Sequence, residues 1–124
     1  MKLNTKRALI TGGAQGIGFT IAETFCREGA VVYIADVNRD LGLSSALKLK
    51  EKGCNAAFVF LDVSDDANWQ KVCRQIKEET GGLDILVNNA GINIRKVIEE
   101  MSAEELDKMY SVNIKGPFLG IKHA

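Results

Sequence analysis

The sequence is poor in the residues that staple a chain, kink it or bind metal. Among its 124 residues are one proline, one histidine, one tryptophan and three cysteines. The cysteines, separated by 28 and 19 residues, form no C-x-x-C pair, and His123 alone cannot complete a zinc ligand set. Cys26, Cys54 and Cys73 are therefore expected to be reduced thiols packed in a core, in a cytoplasmic protein. Net charge is missing too: 16 basic residues balance 16 acidic ones with the signs mixed, which argues against nucleic acid or an anionic membrane as the main partner. No apolar run approaches the ~20 residues of a membrane span, and no charged-then-apolar leader is read at the start. There is no internal repeat and no low-complexity stretch, so one continuous domain is expected.

What is present is an ordinary globular composition, 46% hydrophobic and 26% charged, which excludes long disorder. Short apolar runs recur: Lys6 to Ile10, Val31-Val32-Tyr33-Ile34, Ala57-Phe58-Val59-Phe60-Leu61 and Ile85-Leu86-Val87. Such runs suit strands buried on both faces. Helical spacing fills the intervals. Ile17, Ile21, Ala22 and Phe25 share a face ended by Gly29, and Leu43, Ala46 and Leu47 form a weaker stripe ended by Gly53. Trp69, Val72, Cys73 and Ile76 follow a Ser64 cap with Asp65 and Asp66 in the first turn. Ser102 to Glu105 reads as a capping box, with Leu106, Met109 and Tyr110 continuing the apolar face. The order βαβαβαβα demands a parallel sheet with right-handed crossovers, whose function lies at the carboxyl ends of the strands.

Each chemical motif falls at one of those ends. Thr11-Gly12-Gly13-Ala14-Gln15-Gly16-Ile17-Gly18 follows the first strand and opens the first helix. Glycines let backbone N–H groups approach a pyrophosphate at the positive end of a helix. A nucleotide-hydrolysing phosphate loop is excluded, because Phe19 stands where its lysine must be. Asp36 ends the second strand eighteen residues after Gly18, where a carboxylate accepts from both adenosine ribose hydroxyls. The same charge repels a 2′-phosphate, and neither Gln15 nor Val37 offers a cation to receive one. NAD is accordingly expected over NADP, with Arg39 the nearby residue that could blunt the preference.

Asn113 lies seven residues after Leu106, on the apolar face of that helix, and Pro117 follows four residues later. A buried asparagine must be paired by the core or used by a site. Pro117 has no N–H for the Asn113 carbonyl, and its ring pushes against that group. Two outcomes stay open: a kinked helix whose Asn113 carbonyl holds a water, or a helix that ends just before the proline.

Thr11-Gly12-x-x-x-Gly16-x-Gly18, Asp36, Asp62-Val63, Asn88-Asn89-Ala90-Gly91 and Asn113, in this order, resemble the short-chain dehydrogenase/reductase family. The resemblance covers the chain from about Lys6 onward. It implies a Rossmann-type doubly wound parallel sheet of order 3-2-1-4, cut short after about four strands, in a single NAD(P)-binding domain over 1–124. It implies a cofactor loop of Thr11, Gly12, Gln15, Gly16, Ile17 and Gly18. It places Asp62 and Val63 at the adenine and Asn89, Ala90 and Gly91 over the adenosine side. Asn113 matches one of the family's four catalytic positions, where it holds a water in a proton relay. The implied activity is hydride transfer between a nicotinamide cofactor and an alcohol or ketone, in a homo-oligomer.

The family's catalytic serine and Tyr-x-x-x-Lys pair are not found. Val37 and Ile114 stand four residues after Tyr33 and Tyr110, the two tyrosines. The chain therefore reads as an N-terminal cofactor-binding half that is inactive alone, with a non-catalytic dinucleotide-binding module or structural remnant as the alternative. A methyltransferase-like nucleoside site is disfavoured by Thr11 and the Asn-Asn-Ala-Gly segment.

Overall fold

The computed structural model describes residues 1–124. Four strands, β1 (Arg7–Thr11), β2 (Val31–Asp36), β3 (Ala56–Phe60) and β4 (Ile85–Val87), alternate with helices α1 (Gly16–Arg27), α2 (Arg39–Glu51) and α3 (Asp66–Thr80). All pairings are parallel and the sheet order is β3-β2-β1-β4. Leu9 of β1 stands opposite Tyr33 of β2 and Leu86 of β4, and Asp36 stands opposite Phe60 at the carboxyl ends of β2 and β3. The strand order that the resemblance implies is thus the observed one, with β1 and β3 each displaced by one residue from the expected bounds. A Rossmann-type α/β sheet follows.

Strand alternation sends side chains to two cores. Ala8, Ile10, Val32 and Ile34 pack with Ala22, Ala46 and Leu49 on one face. Leu9, Tyr33, Ala35 and Val59 pack with Trp69, Val72, Ile76 and Leu119 on the other. Both faces of β1 and β2 are covered, which is why their sequences are continuously apolar rather than alternating. The Tyr33 hydroxyl donates to Glu79 at 2.7 Å, and burial together with that partner pushes its pKa up.

Three local expectations are corrected. Helix α2 turns Gly42, Ser45, Ala46 and Leu49 inward and leaves Leu43 and Leu47 each 55% exposed. Small residues face the sheet because Phe58 lies where a Gly42 side chain would stand. The α3 cap is Asp65, which accepts from the Asn68 N–H at 3.1 Å, not Ser64. Cys26 and Cys54 are not free: the structure joins them as a disulfide with Cα atoms 5.6 Å apart, leaving Cys73 as the free thiol. Spacing could not reveal that pair, because it closes between the end of α1 and the approach to β3.

After β4 the chain runs irregularly to a single 3-10 turn (Ile98–Glu100), then enters α4 (Ala103–Tyr110) through the expected Ser102–Glu105 capping box. The backbone stays helical through a π turn (Ser111–Lys115) into α5 (Gly116–His123). Gly116 N–H reaches back to the Ser111 carbonyl, five residues away, so the turn widens ahead of Pro117. The helix therefore passes through the proline, and the reading in which it ends there is set aside. Its apolar stripe is not a core face: Leu106 and Tyr110 are exposed, and α4 buries no residue.

Candidate functional site

The carboxyl ends of the strands enclose a cavity of about 450 Å³, bounded by Gly12, Gln15, Asp36, Asp62, Val63, Asn89, Ala90 and Gly91 among others. Eight of the thirteen residues singled out by sequence thus share one wall. Of the other five, Thr11, Gly16, Ile17 and Gly18 stand in or beneath the glycine loop, and Asn113 stands behind Ile92, which lines the cavity. Val37, Leu61, Ser64, Ile92, Lys108, Ser111 and Val112 complete the lining and were missed. Lys108 and Ser111 sit one helical turn apart, a spacing visible in sequence but without a reference point until α4 is placed.

The glycine loop owes its shape to contacts from above and below. Gly12 and Gly16 have φ of +62° and +60°, the left-handed region that favours glycine. A side chain on Gly18 would overlap the Gly12 carbonyl and the Asn89 amide, so glycine there lets α1 sit close against the β4 exit. A side chain on Gly16 would instead meet open space, leaving room for a ligand against the loop. Ile17, expected on the packed face of α1, is 75% exposed.

The start of α1 lacks what the starts of α2, α3 and α4 have. Asn38, Asp65 and Ser102 cap α2, α3 and α4 with side-chain acceptors, whereas Gln15 makes no cap bond and the first turn of α1 carries no acid. Its first N–H groups have no intrahelical acceptors by geometry, and they carry the positive end of the helix dipole. An anion fits this position.

Thr11 is the hub beneath the site. It is 1% exposed, and its hydroxyl accepts from the Asn89 and Ala90 N–H groups, both at 3.0 Å, while donating to the Val87 carbonyl at 3.3 Å. The Asn89 side-chain amide returns the contact, donating to the Thr11 and Gly12 carbonyls at 3.1 Å. These bonds clamp the segment after β4 onto the loop after β1, across more than seventy residues of chain.

Asp36 is held in place with acceptor capacity to spare. One oxygen accepts from the Ala14 N–H at 3.2 Å and the other from the Asn38 N–H at 3.0 Å, two of about four lone-pair positions. Asp62 folds its own turn, one oxygen accepting from both Ser64 N–H (3.0 Å) and Ser64 Oγ (2.6 Å). The Val63 carbonyl accepts from the buried Trp69 indole at 2.8 Å, which fixes this turn to the core. Val63 is among the residues lining the cavity, and its N–H has no protein acceptor.

Asn113 is exposed rather than buried, correcting the expectation from its helical face. Both ends of its side-chain amide are nevertheless engaged: Oδ1 accepts from Ile92 N–H at 2.9 Å and Nδ2 donates to the Ile92 carbonyl at 2.8 Å. The amide pairs with an extended backbone as a neighbouring strand would. It ties the π turn to the segment that follows Gly91.

The family model for short chain dehydrogenase matches residues 6–124. The chain belongs to the short-chain dehydrogenase family. A cyclopentanol dehydrogenase from Comamonas is 39% identical over 121 residues, covering 98% of this chain and 48% of that protein. A galactitol 2-dehydrogenase from Agrobacterium fabrum is 43% identical over 122 residues, covering 98% of this chain and 46% of that protein. Among solved structures, a double mutant of a Serratia marcescens short-chain dehydrogenase/reductase superposes with a TM-score of 0.94 at 33% identity, covering all of this chain and 51% of that one. The chain spans about half the length of the curated relatives it matches. Neither of its tyrosines borders the cavity: Tyr33 is buried in β2 and bonded to Glu79, and Tyr110 is exposed on α4. No helix is long and apolar enough to cross a membrane.

Proposed function

We propose that these residues form the adenosine- and pyrophosphate-holding half of an NAD-dependent oxidoreductase that acts on an alcohol or ketone. The observation that carries this reading is the uncapped start of α1 beside a cavity bounded by the Asp36 carboxylate. Gly12, Gln15, Gly16 and Ile17 would offer backbone N–H groups to the pyrophosphate, with Gly18 and Thr11 holding the loop in shape. Asp36 would accept from the ribose hydroxyls with the lone pairs its backbone contacts leave free. Asp62 would accept from the adenine amino group, and the unpaired Val63 N–H would donate to a ring nitrogen. Asn89, Ala90 and Gly91 would cover the adenosine side.

When bound, the nicotinamide ring supplies the hydride donor or acceptor. The chain's own contribution near that chemistry is Asn113. Pro117 brings no N–H to the Asn113 carbonyl, which leaves that carbonyl to hold a water in a proton relay. A charged Asp36 and the absence of a cation at Gln15 or Val37 support NAD over NADP. The acid/base tyrosine and its lysine belong to residues other than these 124, so the chain alone is inactive in this reading.

Calorimetric titration with NAD, ADP and nicotinamide mononucleotide tests it. NAD and ADP are expected to bind with similar strength and the mononucleotide not at all. Hydride transfer by these residues alone, or binding of the mononucleotide in preference to ADP, contradicts the half-site reading.

A further inference from the structure

We infer that Cys26 and Cys54 form an oxidation site that opens and closes by exchange with small thiols and disulfides, entered through Cys54. The two residues come from the last turn of α1 and the approach to β3, yet their Cα atoms stand 5.6 Å apart, within the span a disulfide bridges. A cavity of about 440 Å³ opens beside them, separate from the cofactor site and edged by Glu23, Arg27, Lys52 and Gly53. That volume admits a small sulfur compound without unfolding the core.

The two sulfurs are not equally placed. Both line that cavity, but Cys26, in the last turn of α1, is only 7% exposed, whereas Cys54 is half-buried. Lys52, paired with Glu23 at 2.6 Å, and Arg27 stand at the same edge. Cys73 provides the internal contrast. It belongs with the opposite core, has no sulfur partner, and burial pushes its thiol pKa up.

The exchange balances with glutathione disulfide as oxidant. The Cys54 thiolate displaces one glutathione thiolate and forms a mixed disulfide. Cys26 then loses its proton and displaces the second glutathione as it bonds to Cys54. Two protein thiols are oxidised, and one glutathione disulfide is reduced to two glutathiones. The bond ties the end of α1 to β3, and α1 is the helix whose other end faces the cofactor cavity.

The test counts thiols in the folded chain by alkylation and peptide mapping. Glutathione disulfide is expected to lower the count from three to one, with Cys26 and Cys54 joined and Cys73 free, and a reduced dithiol is expected to restore three. The Cys26→Ser chain is expected to take up glutathione at Cys54 about ten-fold faster than Cys54→Ser takes it up at Cys26. A count that stays at three under oxidant, or that does not recover under reductant, overturns the proposal. Equal uptake by the two variants overturns entry through Cys54.

Discussion

Replacing Thr11 with valine removes one oxygen at nearly constant volume and should loosen the clamp between the two loops that frame the site. The Thr11 hydroxyl accepts from two backbone N–H groups at 3.0 Å, and valine leaves both without that acceptor. An unsatisfied buried donor costs about 1–3 kcal/mol. Asn89 and Ala90 are half-buried, so water reaches them in part and the sum falls near the lower end, about 2–3 kcal/mol. Thr11→Ser keeps every one of these bonds and loses one buried methyl, roughly 1 kcal/mol. Guanidinium unfolding of the two variants beside the parent chain reads the difference directly. NAD titration should show weakened binding in Thr11→Val alone, because the Asn89-Ala90-Gly91 segment is no longer held down. A valine variant within about 0.5 kcal/mol of the parent, or a serine variant as damaged as the valine one, would refute the hub role.

Gly18→Ala places a methyl group on the Gly12 carbonyl and Asn89 amide and should cost about 1–3 kcal/mol along with NAD binding, as unfolding and calorimetry would report. Asn113→Ala removes both bonds to Ile92 and should cost about 1–2 kcal/mol, with faster hydrogen exchange at the Ile92 amide. The Arg7 guanidinium and backbone N–H hold Asp84 down to about 2, below its ordinary value. Because the folded pKa is depressed, the pair's stabilisation is present above the unfolded carboxylate's range near pH 4 and is lost as pH falls toward 2. An acid titration of stability should therefore lose this limb in Asp84→Asn.

The parallel sheet was legible because β1 and β2 are buried on both faces and announce themselves as unbroken apolar runs, whereas its order came only from the family resemblance. The capping box at Ser102 was legible because both of its bonds are local. Helix α2 was misread because the large residues Leu43 and Leu47 dominate its periodicity while the sheet demands small ones opposite Phe58. Ser64 and Asp65 are adjacent acceptors, and only the backbone geometry decides which of them caps. Asp36 and the glycine loop were readable from spacing along the chain. The Thr11–Asn89 clamp, the Asn113–Ile92 pairing and the Cys26–Cys54 bond join residues 21 to 78 positions apart, and only the assembled sheet brings them together.

In the proposed half-site Asp36, beside the start of α1, selects an adenine dinucleotide with a free 2′-hydroxyl. Paired titrations of NAD and NADP against the parent chain and Asp36→Asn test it most directly. The parent is expected to favour NAD by about ten-fold or more, and the asparagine variant to lose most of that ratio as the like charge disappears. Equal affinity for both cofactors in the parent, or a ratio that survives in Asp36→Asn, would contradict it.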